Sequence, residues 1–82
     1  MALSKQEKQL QAMRNNLKNV RFETIQKVLL SYGFTEKKPR SGSSHYTYCK
    51  GIYRITVPKD YPVNQIYVKQ AIKIIDALEE SL

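Results

Sequence analysis

The sequence predicts an α+β fold, a two-layer sandwich in which helices cover one face of a three-stranded antiparallel sheet. Apolar residues recur at spacings of three and four up to residue 33 and again after residue 65, which is the helical period. Between these segments the apolar spacing is two, and glycine or proline residues interrupt it, as in short strands joined by turns. A meander of three strands buries one face against helices and leaves the other open to solvent or to a partner.

Two helical segments precede the strands. The first is predicted over residues 4–18, with a break near Asn19, and Ser4 followed three residues later by Glu7 forms a capping-box pattern. The second ends at Gly33, which we expect to be the left-handed residue after the helix. The apolar stripe of the first helix is thin, with Leu10, Met13 and Leu17, whereas the second has a full face of Phe22, Ile25, Val28, Leu29 and Tyr32.

Three strands and a final helix follow. The strands are predicted over residues 34–37, 45–49 and 52–57, with Lys50-Gly51 as a two-residue hairpin turn and Pro58 as the end of the third. The final helix is predicted to begin at Gln65 or Ile66, with Lys69 and Lys73 beside its apolar face. We expect the core to contain Phe22, Ile25, Leu29, Phe34, Ile55, Val57, Val68, Ala71, Ile72 and Ile75.

The length and the net charge of the chain limit the classes of function that it can have. The 82 residues are predicted to form one domain, with a helical extension over 1–18 and a core over 19–80, which is too small for a deep enzyme cleft. Fourteen Lys and Arg residues against seven Asp and Glu give a formal charge of +7. A charge of this size predicts an acidic partner, either nucleic acid or an acidic protein surface.

Cysteine use and hydropathy predict the compartment. The single cysteine, Cys49, excludes an internal disulfide and a cysteine-rich zinc site and fits a reducing environment. The N-terminus has no apolar leader segment, and no stretch approaches eighteen apolar residues. We therefore expect a soluble, cytoplasmic protein with no membrane contact.

The only histidine, His45, follows a turn of small residues and opens an aromatic strand. Imidazole exchanges protons near neutral pH, and the small residues before it allow a bulky polyanion to approach closely. A lone histidine is also compatible with an ordinary structural or surface role.

Several short segments together resemble the HicA (YcfA-like) toxin family, whose members are small basic mRNA interferases. The resemblance covers about residues 19–80 and is carried by Asn19-Val20-Arg21-Phe22-Glu23, Leu29-Leu30-Ser31-Tyr32-Gly33-Phe34, Gly42-Ser43-Ser44-His45-Tyr46-Thr47-Tyr48, Ile55-Thr56-Val57-Pro58 and Val68-Lys69-Gln70-Ala71. It implies a fold similar to the double-stranded-RNA-binding domain, α-β-β-β-α, with His45 as the catalytic residue. It also implies a HicB-like antitoxin that binds and silences the toxin. The motif of the family often contains a second histidine, and Tyr46 occupies that position in this sequence.

The residues permit one kind of RNA cleavage. One histidine, one cysteine and sparse carboxylates offer no metal constellation and call for no cofactor, so the expected chemistry is metal-independent, with His45 as general base or acid. Such cleavage leaves a 2′,3′-cyclic phosphate. The expected RNA-binding residues include the turn serines Ser43 and Ser44. Four cations are expected to bind phosphates: Lys38, Arg40, Lys50 and Arg54. Tyr46 or Tyr48 is expected to stack on a base.

Other interpretations stay open from the sequence. Tyr46, Tyr48 and Tyr53 are also ordinary strand formers that fit a core. The chain is also compatible with a non-catalytic RNA-binding module of the double-stranded-RNA-binding fold, or with a protein-interaction subunit whose basic face binds an acidic antitoxin. The N-terminal helix fits a dimerisation element, an antitoxin-docking element or a helix folded back on the core.

Overall fold

The structure, a computed structural model, describes residues 4–40 and 44–80 and has an α+β architecture, as predicted. One three-stranded sheet, with strand order β1-β2-β3 and antiparallel pairing throughout, accompanies three helices. This agrees with an α-β-β-β-α layout preceded by one further helix. In chain order the elements are α1 (Lys5–Asn15), α2 (Phe22–Ser31), β1 (Thr35–Lys37), β2 (His45–Lys50), β3 (Tyr53–Pro58) and α3 (Gln65–Glu80).

The hairpin between β2 and β3 turns one residue later than predicted. Lys50 pairs with Tyr53, so the two turn residues are Gly51 and Ile52. Gly51 has a φ of 58°, a backbone conformation that glycine adopts without steric cost and that tight hairpin turns require. The glycine therefore takes the first position of the turn, and Lys50 stays in the strand.

The end of α2 confirms the predicted role of Gly33. Gly33 has a φ of 92°, and its N–H donates to the carbonyl of Leu30 at 3.0 Å, while the N–H of Phe34 donates to the carbonyl of Leu29 at 3.1 Å. This pair of bonds is the Schellman motif, which satisfies the last helical carbonyls. Phe34 is used in this cap, so β1 begins at Thr35.

The core lies between the helices and one face of the sheet. All ten residues predicted for it are buried, none with more than 8% of its surface exposed. Within the described residues no polar or charged side chain is buried apart from tyrosine, which fits a small core built on apolar contact. The buried residues that the prediction did not include are Leu10, Met13, Val20, Val28, Tyr48 and Val63.

Helix α1 folds back on the other two helices. Met13 is 1% exposed and belongs to the main core, and Arg14 forms an ion pair with Asp76 of α3. The helix is shorter than predicted, because it ends at Asn15 and Asn16 has left the helical conformation, with a φ of −149°. Asparagine bonds readily to nearby backbone in non-helical conformations, so it is common at helix ends.

The start of α1 follows the capping pattern. The N–H of Glu7 donates to the hydroxyl oxygen of Ser4 at 3.2 Å. No helix of the described chain, residues 4–40 and 44–80, has the length and apolar character needed to cross a membrane.

Candidate nucleic-acid interface

The two faces of the sheet differ in chemistry. Residues opposite one another in antiparallel strands point to the same face, and neighbours along a strand point to opposite faces. The register therefore puts Tyr48 and Ile55 on the face that the helices cover, here called the covered face. The other face, here called the open face, carries no carboxylate on the described strands, and its basic residues there are Lys37, His45 and Arg54.

His45 lies at one end of the open face. It is the first residue of β2, it is exposed, and it pairs with Pro58, the last residue of β3. Lys37, on the neighbouring strand, pairs with Thr47 and so shares the open face with His45. We call this end of the sheet, where β2 begins and β3 ends, the His45 end.

Lys59 is held at the same end by a backbone bond. Its N–H donates to the carbonyl of Ser44 at 2.8 Å, so these two residues extend the β2–β3 ladder one step beyond His45 and Pro58. The Lys59 side chain is exposed. Because Ser44 and His45 are neighbours and point to opposite faces, the Lys59 side chain lies on the covered side, with its ammonium nitrogen 6.0 Å from the Tyr46 ring centroid.

Some predicted RNA-binding residues lie at the His45 end. Ser44 directly precedes His45 and is exposed, and Lys38 follows the last residue of β1, at the same end. Arg40 is exposed in the connection that leads toward β2. Ser43 lies outside the described residues.

Two predicted residues lie far from His45. Lys50 is at the opposite end of β2, about 16 Å away along the strand, and on the covered face. Arg54 is on the open face opposite Cys49, also near the far end. Each residue of an extended strand adds to the distance from its start. Lys50 and Arg54 are near His45 in sequence, but they lie at the other end of the hairpin.

Tyr46 and Tyr48 both belong to the covered face, away from His45. Tyr48 is fully buried, so it cannot stack on an RNA base. Tyr46 is half-buried, with its ring centroid 4.9 Å from that of Phe22. The alternation of the strand, which makes His45 exposed, turns both neighbouring tyrosines inward.

The buried hydroxyl of Tyr48 belongs to a small polar network. It donates to Glu36 at 2.8 Å, and the Gln26 amide donates to the same carboxylate oxygen at 2.6 Å. The bonds from Gln26 and then Tyr48 lower the pKa of Glu36 below its ordinary value, while burial, followed by the bond to Glu36, raises the pKa of Tyr48. Glu36 is therefore a structural carboxylate of the covered face.

The described residues offer no metal centre. Across residues 4–40 and 44–80 there is no group of three or more His, Cys, Asp or Glu side chains placed to hold an ion.

Sequence reasoning missed Lys37 as a site residue. Lys37 shares the open face with His45 because it pairs with Thr47, and only the register between β1 and β2 shows this.

Comparison of the chain with known protein families, with curated proteins and with solved structures finds no match.

Proposed function

We propose that this protein is a metal-independent endoribonuclease, an mRNA interferase toxin of the HicA type, with His45 as its acid–base residue. The observation that carries the proposal is the position of His45. It is exposed at the end of a sheet face that carries no carboxylate on the described strands, and Lys37 of the neighbouring strand shares that face. Cleavage of a phosphodiester uses a proton-transfer group together with a cation that stabilises the charge on the phosphoryl oxygens.

The proposed reaction needs no group outside the chain and the RNA. His45 accepts the proton of a ribose 2′-hydroxyl, and the 2′-oxygen attacks the adjacent phosphorus. The bond from phosphorus to the 5′-oxygen breaks, and the imidazolium returns its proton to that leaving oxygen. The products are a 2′,3′-cyclic phosphate and a 5′-hydroxyl, and the ammonium group of Lys37 stabilises the negative charge that develops on the phosphoryl oxygens.

The distribution of carboxylates supports a polyanionic substrate. Four of the seven acidic residues are engaged within the fold: Glu7 at the α1 cap, Glu36 with Tyr48, Asp76 with Arg14 and Glu79 with Tyr32. These contacts hold the four carboxylates away from the open face, whose described strands carry none, so that face can attract a phosphate backbone.

The wider proposal includes the partners that the family resemblance implies. The fold is assigned to the double-stranded-RNA-binding type, the substrate is mRNA in the cytoplasm, and a HicB-like antitoxin silences the toxin. An acidic antitoxin would cover the same cations that bind RNA, because one basic surface attracts both.

A cleavage assay tests the catalytic role. Purified wild-type protein and His45→Ala are incubated with a single-stranded RNA, and the new ends are analysed. We expect cyclic phosphate ends with the wild type and a rate lower by about 10²–10⁴ with the variant, the usual contribution of general acid–base catalysis. The variant should still fold, since exposed substitutions change stability by less than about 0.5 kcal/mol.

The same experiment has a counterpart in cells. Production of the wild type in bacteria should arrest translation and growth, and production of His45→Ala should not. A His45→Ala protein that cleaves RNA and arrests growth like the wild type would end the catalytic proposal.

One observation favours a second candidate, an RNA-binding module without catalysis. His45 is the only histidine of the chain, so the site has no second imidazole to divide the acid and base roles. A module that only binds would retain full RNA affinity in His45→Ala and would show no cleavage even as wild type.

A further inference from the structure

Two threonines occupy the centre of the open face. Thr47 of β2 pairs with Thr56 of β3, and their hydroxyl oxygens are 3.1 Å apart and hydrogen-bonded to one another. They lie two residues along the β2–β3 ladder from His45, which is about 7 Å in an extended strand. Lys37 pairs with Thr47 from the other side, so a cation completes this line across the sheet. We call Thr47 and Thr56 the threonine pair.

The threonine pair has a hydrogen to donate to a ligand on the open face. A hydroxyl group has one hydrogen, so the bond between Thr47 and Thr56 uses the hydrogen of one residue and leaves that of the other to a ligand. Both side chains are half-buried, so the strands and their neighbours restrict how far the hydroxyl groups can move. The pair is therefore a donor held in place beside Lys37.

Arg54 adds a second cation further along the same face. It pairs with Cys49, two residues beyond Thr47, which places it about 14 Å along the strands from His45. Its side chain is exposed. A ligand that extends from His45 over the threonine pair therefore reaches Arg54 next.

The spacing of these groups favours a polymer with regular charges. Along the strands, the open face presents His45, then the threonine pair with Lys37, then Arg54, at steps of about 7 Å. The described strands add no carboxylate to this face. A nucleic-acid strand carries one negative charge per nucleotide at regular intervals, whereas the carboxylates of a protein surface have no such regularity. An RNA strand is therefore a better occupant than an acidic protein.

We propose that the open face binds the backbone of a single RNA strand that runs from the scissile phosphate at His45, over the threonine pair, to Arg54. The threonine pair donates to a phosphate next to the scissile one, and Arg54 binds a later phosphate. The inference rests on the function proposed above and specifies the path of its substrate over the sheet.

The composition of the open face favours contact with the backbone of the RNA over contact with its bases. On the described strands this face carries threonine, cysteine, proline and three basic residues, and no phenylalanine, tyrosine or tryptophan. Proteins that bind RNA bases on a sheet stack them on aromatic side chains, whereas arginine, lysine and hydroxyl groups bind phosphate oxygens. We therefore expect binding on this face to depend little on RNA sequence.

Binding of a 2′-O-methyl oligouridylate tests this path, because an RNA without the attacking 2′-hydroxyl is bound but not cut. Three variants are compared with the wild type: Arg54→Ala, the double variant Thr47→Val with Thr56→Val, and Lys50→Ala. Lys50 is the matched control, since it lies at the same end of the hairpin as Arg54 but on the covered face. Affinity is measured at several salt concentrations, and thermal unfolding shows that each variant is folded.

We expect Arg54→Ala to weaken binding about tenfold, the lower part of the range for a hydrogen bond to a charged group, and to reduce the salt slope by about 0.7. The double threonine variant should weaken binding about threefold and leave the slope unchanged, because it removes a hydroxyl donor and no charge. Lys50→Ala should bind like the wild type.

Three results would overturn the inference. Unchanged affinity in Arg54→Ala means that the RNA does not reach that end of the open face, and unchanged affinity in the double threonine variant means that the RNA does not cross the threonine pair. Equal losses in Arg54→Ala and Lys50→Ala mean that overall charge, and not the open face, attracts the RNA. If the wild type cleaves unmodified RNA while any of these is found, the inference alone fails, whereas a wild type that neither binds nor cleaves RNA fails the proposed function as well.

Discussion

The backbone N–H of Lys59 bonds to the carbonyl of Ser44, and this single bond brings a lysine from beyond β3 next to the histidine that opens β2. The side chain of Lys59 also approaches the Tyr46 ring, with its ammonium nitrogen 6.0 Å from the ring centroid. The sheet ladder thus fixes the backbone of Lys59, while its side chain lies on the covered side with Tyr46. Lys37 shares the open face with His45, so it is the lysine whose removal should matter most to binding at His45.

Lys37→Ala, on the open face with His45, should weaken RNA binding and reduce its salt dependence. Each phosphate contact on a single strand adds about 0.7 to the slope of log affinity against log salt, so losing one contact should reduce the slope by about that amount. Binding titrations at several salt concentrations measure it. Lys73→Ala, on the exposed side of α3, is the matched control, and a larger effect there would place the RNA on the last helix instead.

The wild-type protein should itself show steep salt dependence. If about four phosphates are neutralised, the slope on a single strand should be roughly −3, because each contact releases condensed counterions. The same titrations on wild type give this value. Affinity that stays constant from low to physiological salt would mean that the charge of +7 serves a protein partner.

The fold could be predicted largely from periodicity. The apolar spacing of α2 and α3, the capping pattern at Ser4 and the helix end at Gly33 are local signals, and each is confirmed in the structure. The wrong predictions concern the boundaries of elements. Phe34 is part of the cap of α2 and not of β1, so the strand begins one residue later than predicted. Gly51 takes the first position of the hairpin turn, so the turn also lies one residue later.

The site could be predicted only in part, because its residues meet through pairing. His45 was found from its residue type and its place at the start of a strand. Lys37 was not, since the face that it shares with His45 depends on the pairing of β1 with β2. Strand alternation also decides between the two roles left open for Tyr48, and the structure assigns it to the core.

Met13→Ala should show that α1 is part of the folded domain. Met13 is 1% exposed, and truncation of a buried methionine costs about 2–5 kcal/mol in the free energy of unfolding. Urea denaturation measures the loss. Lys8→Ala, at an exposed position of the same helix, should change stability by less than about 0.5 kcal/mol, and equal effects of the two would mean that α1 is not docked on the core.

The network of Gln26, Glu36 and Tyr48 should make stability depend on pH in a defined window. The pKa of Glu36 is lowered in the folded protein, so its contribution is fully present above the unfolded pKa, about 4.3, and is lost as the pH falls through the lower folded pKa. Urea denaturation of the wild type between pH 7 and pH 3 should therefore show a decline below about pH 4.3, and Glu36→Gln should show a smaller one.

Tyr48→Phe should remove one of the two bonds that lower the Glu36 pKa. Hydrogen bonds to a charged group contribute about 1.5–3 kcal/mol, and because Glu36 is only half-buried we expect a loss near the lower value at pH 7. The loss should shrink as the pH falls below about 4.3, where the unfolded carboxylate becomes protonated and the stability linked to the lowered Glu36 pKa declines. Tyr53→Phe, at a half-buried tyrosine of the covered face, is the control and should show no such trend. A Tyr48→Phe loss of the same size at pH 7 and pH 3 would mean that packing, and not the bond to Glu36, holds the tyrosine in place.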